Sequence, residues 1–200
     1  MNAIIQISES SLQLARKLAD ILPDSQIVSL KELNDGKFNQ FEHIVFIGAI
    51  GICVRSIAPH IRDKYSDPAV VCVDSMGKYV IPVISGHIGG ANELARKIAQ
   101  AISAEAVVTT QSDGMGLWAL DTLAGRFGWR TSLDRKEMNG IIALYVGLKP
   151  TALLLDVRDK GTGYLESTLP EHVKVFYNYN DIDFREFELF WRDIPASRAT

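Results

Sequence analysis

The sequence predicts an α/β fold: a mostly parallel sheet flanked by helices, with a strand hairpin inserted and a smaller α/β region appended. Three observations lead there. Short runs rich in Val and Ile alternate with amphipathic stretches as far as residue 130, the rhythm of a sheet covered by helices. Glycine-rich turns at 48–51 and 85–90 stand between such runs and the helices that follow them. The rhythm breaks at 69–83, where two strand-like runs follow each other, and weakens after Arg130.

In chain order, Ala3-Ile4-Ile5-Gln6-Ile7 is a buried first strand. Ser8 is placed to cap a helix whose Leu12, Ala15, Leu18, Ala19 and Leu22 recur at helical spacing, and Pro23 follows its end. Residues 27–30 make a short second strand, Asn34-Asp35-Gly36 a turn, and 42–47 a third strand. Gly48-Ala49-Ile50-Gly51 then opens a helix carrying Ile52, Arg55, Ser56 and Ile57. The strands at 69–73 and 79–83 are joined by Asp74-Ser75-Met76-Gly77-Lys78, a length and composition that fit an antiparallel hairpin. Pro82 has no N–H for a ladder, which marks an edge or a bulge. Ala91, Leu94, Ala95, Ile98, Ala101 and Ile102 form one helical face, and 106–109 is the next strand. Asp113 is placed to cap a helix bearing Leu117, Leu120, Leu123, Ala124 and Phe127, which Gly128 stops. A helix interrupted by Gly140 follows at 131–144, then strands at 151–157 and 173–177 and a stretch carrying Phe184, Phe187, Phe190 and Trp191. The expected organisation is a main domain over 1–130, then a linker helix and smaller middle region over 131–200.

Composition narrows the function. A formal charge of −3 and the lack of any Lys/Arg run argue against a nucleic-acid surface. The longest apolar runs, such as Ile141-Ile142-Ala143-Leu144-Tyr145-Val146, are too short to span a membrane. Gln6, Ser8 and Glu9 interrupt the apolar start, so no signal peptide is expected and the expected location is the cytoplasm. Cys53 and Cys72 suggest neither a disulfide framework nor a zinc site.

The stretch that invites chemistry is Ser85-Gly86-His87-Ile88-Gly89-Gly90-Ala91-Asn92-Glu93, between a strand and a helix. Its glycines permit a tight bend or a close approach to the backbone. The first N–H groups of a helix lack intrahelical partners and carry partial positive charge, so such a turn can receive an anion. His87 is the side-chain type that titrates near neutral pH. The alternative is a turn that merely packs its helix closely on the sheet. The phosphate and nucleophile fingerprints G-x-x-x-x-G-K-[ST], G-x-G-x-x-G and G-x-S-x-G are absent. The turns at 48–51, 85–90 and 109–114 each follow the carboxyl end of a strand and open a helix. The expectation is one shared crevice for a ligand bearing several carboxylates or phosphates.

Gly48-Ala49-Ile50-Gly51-Ile52-Cys53-Val54-Arg55, Asp67-Pro68-Ala69-Val70-Val71 and above all 85–95 resemble the cobalamin biosynthesis protein CbiG family. The likeness is close from about 41 to 113 and loose after Pro150. It implies a cobalt-precorrin-5A hydrolase of anaerobic vitamin B12 synthesis, which opens the ring A δ-lactone of a cobalt corrinoid and releases acetaldehyde. Cobalt would arrive inside the substrate, so neither a cofactor nor a protein metal site is implied. Members of the family continue into a carboxyl-terminal domain, so a further domain or an adjacent pathway methyltransferase is an expected partner.

On this basis His87 is the candidate to activate water, to take the hydroxyl proton that drives C–C cleavage, or to meet cobalt axially. Its plainer role is hydrogen bonding within the turn. Glu93 is the candidate second base, although an acid in a first helical turn with Lys97 four residues on is also a stabilising arrangement. Arg55 suits a carboxylate. The expected substrate contacts are Gly48, Gly51, Arg55, Ser85, Gly86, Gly89, Gly90, Thr109, Thr110 and Asp113. Nothing gathers around Ser85 to make it a nucleophile, and Asp113 is as easily a helix cap. The rival function is a non-catalytic corrinoid-binding module.

Overall fold

The computed structural model describes residues 1–192, apart from the side chain of Asn34. The chain forms two compact units, Met1–Thr110 and Gln111–Thr200.

The first unit runs β1 (Asn2–Gln6), α1 (Leu12–Ile21), β2 (Ser25–Val28), the single turn α2 (Leu30–Glu32), β3 (His43–Ile47), α3 (Ile50–Ile57), β4 (Ala69–Val73), β5 (Tyr79–Ile84), α4 (Ala91–Ile102) and β6 (Glu105–Ala106). The sheet order is β2-β1-β3-β4-β5-β6. Neighbours are parallel except β4 and β5, which pair antiparallel as the hairpin reading requires. The register skips between Val70 and Val71, where Val70 faces Ile84 and Val71 faces Pro82, so Pro82 sits at an irregularity of the ladder.

Both faces of this sheet are covered, which is why its strands are apolar runs rather than alternations. Ile4, Val45 and Val71 point to one face, where Ala15 and Leu18 of α1 and Ala95 and Ile98 of α4 meet them. Ile5, Phe46 and Cys72 point to the other, against Cys53 and Ile57 of α3 and the loop residues Phe38 and Phe41. Leu18 and Ile98 are fully buried, and each such side chain stabilises the docking of its helix by about 1.5–3 kcal/mol.

The second unit runs α5 (Gln111–Gly114), α6 (Leu120–Phe127), α7 (Arg135–Val146), β7 (Thr151–Leu154), α8 (Thr162–Ser167), β8 (Val173–Phe176) and β9 (Leu189–Arg192). Its sheet has the order β8-β7-β9, all parallel. Leu120 and Leu123 of α6 pack in the same core as Met138, Tyr145, Leu153 and Leu165. The helix therefore belongs to this unit, and the division falls at 110/111 rather than near 130. Asp134 and Glu137 make a reciprocal capping box at the start of α7, with 2.8 Å bonds in both directions. Gly140 lies inside that helix without ending it.

Several local expectations change. Ser8 makes no side-chain cap bond; it precedes a 3-10 turn at Glu9–Ser11, and α1 starts after Ser11. Asp113 lies within α5, while α6 starts after Ala119 without a side-chain cap. The strand expected at 106–109 is paired only at Glu105–Ala106, although the Val107 N–H still donates to Val80 O at 2.9 Å. The strand expected at 151–157 ends as β7 at Leu154.

Candidate functional site

The hairpin decides where the glycine turns lie. Gly48 follows β3, and its N–H donates to Val73 O at the carboxyl end of β4 (2.9 Å). The chain reverses in β5, so the carboxyl end of that strand returns to the start of β4. A Cβ on Gly89 would stand 3.5 Å from the Ala69 nitrogen. The Gly48–Gly51 and Ser85–Gly90 turns are thus at opposite edges of the sheet, separated by the length of Ala69–Val73. Four steps of about 3.3 Å make that roughly 13 Å. The expectation of one crevice shared by these turns is overturned. The fault lay in counting each strand's carboxyl end as the same edge after an antiparallel step.

The Ser85 turn is built by close contacts. Ser85 adopts a left-handed backbone at φ 56°, a conformation that costs a non-glycine residue about 1–2 kcal/mol. Its Oγ–H donates to Asp67 O at 3.0 Å, which holds it there. Asp67 is buried, and its carboxylate accepts the N–H groups of Arg62 and Asp63, both at 2.8 Å. Gly89 lies so close to Ser85 that a Cβ would stand 2.5 Å from Ser85 Cβ and 2.9 Å from Ser85 O. Gly90 precedes α4 at φ 82°. A Cβ on Gly86 would come 2.9 Å from Asn92 Oδ1.

This packing also occupies the donors that an anion would need. The Gly90 N–H donates to His87 O (3.0 Å), Ala91 N–H to Ser85 O (3.1 Å) and Asn92 N–H to Gly86 O (3.0 Å). The open helix start expected from the glycines is therefore closed at these three groups by carbonyls of the turn itself. What the turn presents instead is side chains: His87, half-buried, and Glu93, exposed in the first turn of α4. The buried Asn92 gives its Nδ2–H to Thr110 Oγ1 at 3.1 Å, tying α4 to the segment that carries Thr109 and Thr110.

The structure brings Ser85, Gly86, His87, Gly89, Gly90, Glu93, Thr109 and Thr110 to one edge of the first unit. Gly48, Gly51 and Arg55 lie at the other edge, where the Arg55 guanidinium folds back to within 3.6 Å of the position a Gly51 Cβ would take. Asp113 belongs to the second unit. Two residues that sequence reasoning left out are Asp67, which fixes Ser85, and Asn92, which binds Thr110. Both stand inside motifs already quoted, yet an acid before a proline reads as a turn and an Asn in a first helical turn as surface.

On the Ser85 edge, His43 pairs its Nδ1 with Asn2 Oδ1 at 2.7 Å, and burial lowers its pKa. Beneath the Gly48 turn the buried Cys72 thiol donates to Gly48 O at 3.4 Å. Cys53, also buried, has its pKa raised by its hydrogen bond to Cys72 and then by burial. Among the described residues no group of three or more His, Cys, Asp and Glu is placed to hold a metal ion. No described helix is long and apolar enough to cross a membrane.

Known proteins resemble the chain on both units. The profile described as cobalamin synthesis G N-terminal matches residues 32–113, and that of the cobalamin biosynthesis central region matches 118–193. A cobalt-precorrin-5A hydrolase of Salmonella typhimurium is 39% identical over 77% of this chain and 48% of its own length. One from Priestia megaterium is 30% identical over 87% of this chain and 52% of its own length. The chain thus spans about half the length of these curated relatives. A crystal structure of a cobalamin biosynthesis protein G homolog from Sulfolobus solfataricus superposes with a TM-score of 0.54, at 20% identity, over 97% of this chain and 60% of that one. That likeness carries the fold. With adjoining matches on both units, the chain belongs to the CbiG family of cobalamin biosynthesis and carries its amino-terminal and central regions.

Proposed function

We propose that this protein acts in cobalt-precorrin-5A hydrolysis, opening the ring A δ-lactone and releasing acetaldehyde, and that the Ser85–Glu93 edge is where the substrate reacts. The observation that carries the second clause is the construction of the turn. Asp67, Ser85 and Gly89 fix its backbone through close contacts, its own carbonyls take up the adjacent N–H groups, and the side chains it presents are His87 and, one turn on, Glu93. The names of the two relatives support the first clause.

In this reading the neutral imidazole of His87 accepts a proton from water as its oxygen attacks the lactone carbonyl. The C–O bond to the ring oxygen breaks, giving a carboxyl group and a free secondary alcohol. Removal of the hydroxyl proton then lets the adjacent C–C bond break. Acetaldehyde leaves, the macrocycle keeps the electron pair, and the ring carbon takes up a proton. A positioned base of this kind contributes about 10²–10⁴ in rate. Glu93, on α4, is the second group able to carry a proton. Cobalt enters and leaves as part of the substrate, and the chain holds no cofactor of its own.

The test is incubation with cobalt-precorrin-5A and assay of acetaldehyde. Release is the expected result. Corrinoid binding without release would favour a module that presents the intermediate to a further domain or to a neighbouring methyltransferase.

A further inference from the structure

A second histidine, His43, stands at the Ser85–Glu93 edge, and the reaction above gives it no role. It opens β3 and lies opposite Ala69, the first residue of β4, with neighbouring strands about 4.8 Å apart. The Ala69 nitrogen is the atom 3.5 Å from the Cβ position of Gly89. The same N–H donates to Glu42 O at 2.9 Å, so the Gly89 turn crosses the sheet edge where His43 begins. Side chains alternate between faces along a strand. Val45 shares a core with Ala69, and with Ala91 and Ala95 of α4. His43, two residues before Val45, therefore points to the α4 face, and the charge of Lys97 on α4 acts on its ring.

Hydrogen bonds fix the tautomer of that ring. Asn2 Nδ2–H donates to Pro23 O at 2.7 Å, and a carbonyl can only accept, so Oδ1 is the amide atom turned to His43. Oδ1 can only accept in its turn, 2.7 Å from Nδ1, so the proton of the neutral imidazole sits on Nδ1. The lone pair is then on Nε2. That atom makes no hydrogen bond among the described residues and is open to solvent. Burial lowers the pKa of His43; the Glu42 carboxylate opposes this, and the Met1 amino group and Lys97 add to the lowering. The ring is thus neutral at neutral pH. A base held by an orienting partner, with its acceptor atom free, is the arrangement that proton abstraction needs.

We infer that His43 is a further catalytic residue of this site, its Nε2 meeting the bound corrinoid. The inference rests on the reading that the substrate reacts at the Ser85–Glu93 edge. His87 serves the lactone step, and His43 serves the C–C cleavage. Its Nε2 takes the hydroxyl proton as the carbonyl of acetaldehyde forms. The electron pair of the broken C–C bond stays with the ring carbon of the macrocycle, and the imidazolium returns the proton there. The step neither gains nor loses a proton, and His43 is left neutral for the next turnover.

His43→Asn separates this role from a structural one. The new amide N–H takes the place of Nδ1–H and keeps the bond to Asn2 Oδ1, but nothing replaces Nε2. Acetaldehyde release should fall by about 10²–10⁴, with the midpoint of urea unfolding unchanged. Release at the parent rate overturns the inference and leaves the role of His87 standing. The imidazole nitrogen signals of the isotope-labelled parent chain, assigned by their loss in His43→Asn, give a readout apart from turnover. They should show the Nδ1–H tautomer, and an Nε2 shift when cobyrinic acid, a corrinoid with carboxylate arms, is added. An Nε2–H tautomer, or no Nε2 response to cobyrinic acid, overturns the inference. A parent chain that releases no acetaldehyde defeats the proposed reaction instead, and the Nε2 response then decides whether His43 meets the corrinoid.

Discussion

His87→Gln is expected to lower acetaldehyde release from cobalt-precorrin-5A by about 10²–10⁴ while corrinoid binding stays within several-fold. Gln keeps a polar side chain of similar reach but cannot accept a proton in one step and return it in the next. The backbone should be indifferent to the change. Ser85 Oγ, Ser85 O, Gly86 O and His87 O, which make bonds that hold the turn, are all kept by the change. Glu93→Gln is the matched control, since Glu93 is exposed on α4. If Glu93 serves chiefly to complement the positive end of the helix, its loss costs about 0.3–1 kcal/mol of stability and little rate. Release at the unmodified rate by His87→Gln would make His87 a turn residue and leave Glu93 as the better candidate.

Gly89→Ala is expected to damage the fold of the turn much more than Gly90→Ala. The new methyl of Gly89→Ala would lie 2.5 Å from Ser85 Cβ and 2.9 Å from Ser85 O, atoms with no flexible chain to swing aside. Ser85 cannot yield without losing its bond to Asp67 O and the bond from Ala91 N–H. Overpacking of this kind costs about 1–3 kcal/mol and can exceed it where the backbone must move. Gly90→Ala meets nothing within 4 Å and is penalised only by φ 82°, about 1–2 kcal/mol. Urea unfolding of both variants checks the order. Equal stability of Gly89→Ala and the parent chain would show that the contact with Ser85 does not constrain the turn.

The layered sheet was legible in the sequence because its strands are continuous apolar runs and its helices keep a regular apolar face. The hairpin and the irregularity at Pro82 were legible too, from a five-residue glycine-containing link and a residue without an N–H. The placement of the turns was not, because it depends on strand direction summed over the whole sheet. One antiparallel pair moves the Ser85 turn to the opposite edge from Gly48. The closing of the helix start was hidden as well. Glycines show that a backbone can bend, but which carbonyls then face the N–H groups of Gly90, Ala91 and Asn92 is decided by the left-handed Ser85, a conformation that serine rarely signals.

The second unit was harder to read for a related reason. The apolar face of α6 is plain at Leu120 and Leu123, but periodicity does not say which sheet it covers. Here it covers β7, twenty-four residues and more down the chain. β9 lies in a stretch noted only for its aromatic residues; its pairing with β7, from Thr151 facing Leu189 to Leu154 facing Arg192, is a long-range choice. Asp67 escaped notice because its role is exercised partly through its backbone carbonyl, which no side-chain pattern reports.

The central claim is that the substrate is handled at the Ser85–Glu93 edge and not at the glycine turn after β3. Amide hydrogen exchange, measured with and without cobyrinic acid, tests it most directly. The account predicts slowed exchange across 85–93 and 107–110, with 48–55 unchanged. Slowing confined to 48–55, with 85–93 unaffected, would contradict it and move the site to the edge that holds Arg55.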